Sequence, residues 1–232
     1  MTLKFTPSAG SALQGLTQPS LQLRRLRQLL GPLLLAAVWF GYPWIDLVAA
    51  LAAPLMIFEW TRLTRGNPAL RSLAWCYSLA AVAALLWIRH QPTLGRETLI
   101  WILVCIWATD IGAYFVGRAA GGAKLAPRIS PGKTWAGLIG GMAWSAIASA
   151  AAGYAFGLGA TLPLALIGAG LAVVGQLGDL LESAAKRRAG VKDSGRLIPG
   201  HGGLLDRVDG LIAVLVAVGL VRLVLGETWP WA

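Results

Sequence analysis

Seven apolar runs constrain this chain more than any other feature. They fall at residues 30–44, 45–60, 72–88, 98–117, 134–156, 162–182 and 208–225. A helix needs about 20 residues to cross the hydrocarbon core of a bilayer, and the last five runs approach or reach that length. The first two are short and carry Pro32, Pro43 and Pro54, so they form either two short spans or one re-entrant hairpin. Charged residues make up 13% of the 232-residue chain, about half the roughly 25% of a soluble domain. The expected fold is therefore all-α: a polytopic integral membrane helical bundle of about seven spans. Cys76 and Cys105 both lie in apolar stretches, which excludes a disulfide framework and a four-ligand structural zinc site.

The basic residues choose an orientation. With the N-terminus inside and sides alternating at each span, seventeen of the twenty Lys and Arg residues fall on the inner side. Arg89 and Arg96 alone lie in outer loops, and Arg222 lies within the last span. Such asymmetry is the positive-inside signal, and it puts the two most charged loops, 118–133 and 183–207, on one membrane face. The net charge of +10 is thus a topology signal. No basic, aromatic-bearing soluble module accompanies it, so no nucleic-acid partner is expected. Three parts follow: a basic cytoplasmic tail over 1–28, N-terminal membrane helices over 29–95, and a membrane domain with the two charged loops over 96–232.

In the fifth run Gly137, Gly141, Ser145, Ser149, Gly153 and Gly157 recur every four residues. Small side chains on one stripe let neighbouring backbones approach, and internal helix packing is the expected use. Among the ten acidic residues, Asp46, Glu97 and Glu227 are expected near the outer surface, and Glu59 at an interface. A carboxylate within a span is expensive and normally faces a polar cavity with a partner. Asp110, Asp179, Asp206 and Asp209 all fall near one depth. Asp179, Ser183 and Lys186 share a helix face with Glu182 adjacent, and Asp206 and Asp209 share another. Carboxylates from several helix ends suit a hard cation such as Mg²⁺; juxtamembrane salt bridges explain the same spacing equally well.

The segment 183–209 tips that balance. Glycines at 190, 195, 200, 202 and 203 surround Pro199, so its backbone can approach a ligand closely. Lys186, Arg187, Lys192 and Arg196 supply cations for phosphates, and His201 suits a ligand hydrogen bond. The fixed elements are Ser183, Lys186-Arg187, Lys192-Asp193, His201-Gly202-Gly203 and Asp206-Arg207-Val208-Asp209. With the preceding Gly178-Asp179, the upstream Ser130-Pro131-Gly132-Lys133-Thr134 and Asp110, this pattern resembles the phosphatidate cytidylyltransferases (CDP-diacylglycerol synthases) over roughly residues 98–225. Gly132-Lys133-Thr134 also looks like the end of a P-loop, but Pro127 stands where that motif needs its first glycine.

The resemblance implies CMP transfer from CTP to phosphatidic acid, giving CDP-diacylglycerol and pyrophosphate for phospholipid synthesis. It implies Asp179, Asp206, Lys192 and Ser183 as catalytic residues, and Asp179, Asp206, Asp209 and Asp110 as ligands of Mg²⁺, with room for a second cation. Ser130, Lys133, Thr134, Lys186, Arg187, Lys192, His201 and Arg207 are the implied phosphate-binding set. The partners expected are CTP, phosphatidic acid and the lipid bilayer, with a homodimer left open. The expected location is a bacterial inner membrane, with the site facing the cytoplasm. Two other readings use the same features: a CTP-dependent lipid-alcohol kinase of the polyprenol type, and a non-enzymatic transporter or scaffold.

Overall fold

The computed structural model describes residues 32–157, 161–195, 202–226 and 229–231. The basic tail over 1–28, Arg196, His201 and Glu227 lie outside the described residues. Seven helices follow one another: α1 (32–40), α2 (Trp44–Leu63), α3 (Pro68–Arg89), α4 (Gly95–Ala120), α5 (Trp135–Ala155), α6 (Thr161–Arg188) and α7 (Leu205–Leu225). Six of them, α2 to α7, are long and apolar enough to cross a membrane. The chain is an integral membrane protein. The second apolar run, expected to be short, forms a 20-residue helix that continues through Pro54 to Leu63, long enough to span without α1. Only α1 keeps the brevity expected of the first two runs.

Local chemistry sets several helix ends. Asn67 caps α3, its side chain accepting from Leu70 N at 3.0 Å, and Pro68 takes the first helical position, where no N–H is needed. Thr134 caps α5 in the same way through Gly137 N. The sixth apolar run extends beyond its expected end, so Lys186, Arg187 and Arg188 stand on the last turn of α6, where cations favour the helix dipole. The loop 118–133 also contains structure that the sequence did not announce. Strands β1 (Lys124–Ala126) and β2 (Ser130–Thr134) pair antiparallel, with Lys124 opposite Thr134 and Ala126 opposite Ser130.

Small residues set the helix packing. The α5 stripe is buried from Gly137 to Gly153, against α4 on one side and α6 on the other. A Cβ at Gly137 would lie 3.0 Å from Ala113 O, and one at Gly153 would lie 2.2 Å from Leu164 Cδ1. Ser145 and Ser149 donate to the Gly168 and Leu164 carbonyls at 2.8 and 2.6 Å, and Ser149 accepts from fully buried Trp101 at 2.8 Å. The stripe is thus internal packing, as expected. Large apolar side chains such as Phe115, Ile139, Leu166 and Val224 point outward, as a lipid solvent permits. Asp46 meets His90 at one end of the bundle, while the hairpin, the C-terminal end of α6 and the start of α7 gather at the other.

Candidate active site

Glycine brings the acidic residues of α6 and α7 together. A Cβ at Gly178 would lie 2.7 Å from Asp209 O, and one at Gly210 would lie 3.3 Å from Gly175 O. The two backbones therefore approach beside Asp179 and Asp209. Asp179, Glu182 and Asp209 each offer a carboxylate oxygen, and these atoms lie within 4.8 Å of one another. Asp110 from α4 lines the same small cavity, of about 50 Å³, with Asp179, Asp209 and Arg207. Lys133 reaches in from β2 and pairs with Asp179 at 2.5 Å. Ser183 donates to the other Asp179 oxygen at 3.3 Å. Lys186 bridges Glu182 and Asp206 at 2.6 and 2.7 Å.

Asp206 differs from its neighbours. One oxygen takes the Lys186 ammonium, while the other accepts from Ser194 N, Ser194 Oγ and Gly203 N at 3.0, 2.9 and 2.7 Å. The side chain thus ties α7 to the loop before and after residues 196–201, and it stands outside the three-carboxylate group. Gly202 and Gly203 make this possible. Gly202 has φ +82°, and a Cβ there would sit 2.5 Å from Asp206 Oδ2; a Cβ at Gly203 would sit 2.1 Å from Ser194 Oγ.

Glu59 corrects the sequence reading most clearly. Expected at an interface, it is fully buried at the end of α2. It accepts from Ser194 Oγ at 3.0 Å and from Leu204 N and Leu205 N at 2.9 and 2.8 Å. Leu204 gives α7 no side-chain cap; the Glu59 carboxylate supplies one from another helix, where the N-terminal dipole favours an anion. Ser194 has one hydroxyl proton and two carboxylates within 3.0 Å, so it donates to one at a time. The available signal was a carboxylate at the end of a strongly apolar run, which should be read as functional unless it is solvated.

The remaining expected residues are spread around this centre. Thr134 is occupied in capping α5, and Ser130 lies half-buried on β2. Arg187 Nε donates to Ile129 O at 3.3 Å, fastening α6 to the hairpin. Lys192 is exposed in the bend after α6, and Arg207 is exposed at the small cavity. Among the described residues, five carboxylates (Asp110, Asp179, Glu182, Asp206, Asp209) thus meet three cations (Lys133, Lys186, Arg207). Glu182 Oε1 is buried without a hydrogen-bond donor. Hard oxygen donors, a formal deficit of two positive charges and an unsatisfied buried oxygen fit a divalent cation.

The sequence model of the cytidylyltransferase family matches residues 69–225. Similar curated proteins are phosphatidate cytidylyltransferases. That of Brucella suis biovar 1 is 43% identical over 190 residues, covering 79% of this chain and 66% of the relative. That of Pseudomonas aeruginosa is 44% identical over 200 residues, covering 83% and 69%. A Staphylococcus aureus relative is 35% identical over 192 residues, covering 77% and 71%. The match spans just under two thirds of the length of the Brucella relatives. With the matched stretch running from the start of α3 to the end of α7 and containing every carboxylate of the site except Glu59, the chain belongs to the cytidylyltransferase family.

Proposed function

We propose that this chain transfers the CMP moiety of CTP to phosphatidate at the polar end of the bundle, facing the cytoplasm of a bacterial inner membrane. An oxygen of the lipid phosphate attacks the α-phosphorus of CTP, the bond to the β-phosphate breaks, and pyrophosphate leaves with its electron pair. The observation that carries this reading is the cluster of Asp179, Glu182 and Asp209 on α6 and α7, with Lys133 and Lys186 paired into it. The attacking phosphate is already anionic at neutral pH, so the reaction requires no strong general base. The difficulty is repulsion between two anions. Asp179, Asp209 and Glu182, with Asp110 and Asp206 at their border, would hold a divalent cation, proposed to be Mg²⁺, which supplies charge neutralisation and alignment when bound.

The chain's own residues do the rest. Lys133 and Lys186 stand among the carboxylates and lower the local negative potential that incoming phosphates would otherwise meet. Lys192 and Arg207, both exposed, offer further cations to the nucleotide phosphates, and we include Arg187 and His201 in that set. Glu59, Ser194 and Asp206 hold the base of the loop that carries Lys192. A pre-set loop avoids ordering costs during the reaction.

Labelled CTP tests the proposal. Purified protein with phosphatidate and Mg²⁺ should move label from the α-phosphate, together with the cytidine, into lipid. Label entering from the γ-position alone would instead indicate a lipid kinase and overturn the reading.

A further inference from the structure

A groove of about 790 Å³ opens between the end of α2, the first half of α3 and the last turns of α6. None of the residues assigned above to the nucleotide or the cation lines it. Its walls are apolar, with Leu70, Leu73 and Tyr77 on α3 and Leu181, Ala184 and Ala185 on α6. Leu73 and Leu181 are 66% and 52% exposed, so the groove is open along helices that cross the bilayer. Its rim is net basic: Arg62, Arg65 and Arg188 are all exposed, against one exposed carboxylate, Asp193. Among the described residues none of the three makes an ion pair; Arg62 lies 5.8 Å from the Phe58 ring. The inner end is Ser194, which contacts both Asp206 and Glu59.

We propose that this groove seats the lipid substrate, a diacylglycerol phosphate, with its phosphate at Arg65 and Arg188 and its acyl chains along α3 and α6. The inference rests on the proposed activity. Charge complementarity selects the occupant. A soluble nucleotide has no use for an apolar trough open to the bilayer, and a zwitterionic lipid has none for a rim of arginines. Guanidinium groups match a phosphate monoester with paired, charge-assisted hydrogen bonds, and leucine walls accept acyl chains as neighbouring lipid tails do. An inner-face preference of arginine accounts for their side of the membrane, but not for three of them around one groove that ends at Ser194.

The test uses the full chain in mixed micelles, with the double variant R65Q/R188Q and the wall variant Ala184→Trp. Each should raise the surface KM for phosphatidate by about tenfold while the KM for CTP stays within about twofold, the signature of lost ground-state binding to one substrate. A photoactivatable phosphatidate should label residues 65–77 and 181–189, and unlabelled phosphatidate, but not phosphatidylglycerol, should compete. An unchanged surface KM in both variants, or equal competition by phosphatidylglycerol, would overturn the assignment. Wild-type protein that makes no liponucleotide would defeat the proposed function instead, and the labelling would then decide the groove independently.

Discussion

The two ends of the bundle treat charge in opposite ways. At one end His90 meets Asp46 at 3.1 Å, Arg96 meets Glu97 at 2.7 Å, and Arg89 donates to the Val38 and Trp39 carbonyls at the end of α1. Each described carboxylate there has a cation beside it, and Arg89 has a helix C-terminus, where positive charge is favoured. At the other end, among the described residues, a cluster of five carboxylates holds Lys133 and Lys186 with Arg207 at its edge, and one buried oxygen of Glu182 lacks a hydrogen-bond donor. Uncompensated charge near a low-dielectric medium is costly. A protein that balances charge at one end had the means to do so at the other. The imbalance is what the proposed cation would offset.

The largest effect should come from removing charge at the imbalanced end. Asp179→Asn and Asp209→Asn should each lower kcat by about 100-fold or more, the scale on which preorganised electrostatic groups act, while the protein still inserts and elutes as wild type. Liponucleotide formation across a Mg²⁺ titration measures this. Near-normal turnover at limiting Mg²⁺ would leave the charge deficit without a function. The double variant Arg96→Gln, Glu97→Gln serves as the reference at the opposite end, and it should retain wild-type turnover.

Glu59→Gln comes next. The amide nitrogen cannot accept from Leu204 N or Leu205 N, so at least one buried donor loses its partner, at about 1–3 kcal/mol. Activity should fall by about 10- to 100-fold, as for other groups that orient ligands without being ligands themselves. Glu59→Asp, which keeps the charge, should recover part of the loss. A stability loss with unchanged kcat would reduce Glu59 to a structural tie.

These two predictions also separate what the sequence made legible from what it did not. Asp179, Ser183 and Lys186 were legible because helical spacing within one element puts them on one face, and the structure keeps them there. The convergence of Asp209 on Asp179 could be expected from depth alone, although Gly175, Gly178 and Gly210 are what permit it. The partners of Glu59 were not legible, because they lie 135 to 146 residues away and no local period encodes that distance. The β1–β2 hairpin was missed for a different reason. Three- and five-residue strands containing Pro131 and Gly132 carry none of the alternation that marks a half-buried strand. The charged end of α6 read as loop because hydropathy stops at Glu182, whereas the helix continues to Arg188.

A smaller effect is expected at Lys133. Its ammonium is buried and pairs with Asp179, so Lys133→Met removes a charge proposed to meet phosphate and leaves a carboxylate less compensated. Activity should drop by about tenfold, the lower part of the range for a charge-assisted contact of about 1.5–3 kcal/mol. The Mg²⁺ concentration for half-maximal rate should fall, because a competing cation has left the cluster. A rise instead would show that Lys133 supports the carboxylate arrangement more than it competes with the ion.

The smallest effect belongs to the balanced end, and it bears most directly on the contrast between the two. His90 and Asp46 are partly solvated, with side chains 43% and 31% exposed, so their pairing is worth at most about 1 kcal/mol. His90→Gln with Asp46→Asn removes the pair without leaving a lone charge behind. Turnover should stay within about twofold of wild type and the melting temperature within about 4 °C, since so small a free-energy change moves the latter only slightly. The charge deficit within the acidic cluster predicts this asymmetry, because the described carboxylates of the opposite end are already paired. A tenfold loss of turnover from this remote pair, without loss of folded protein, would mean that the bundle couples its two ends. The separation of a structural end from a chemical one would then fail.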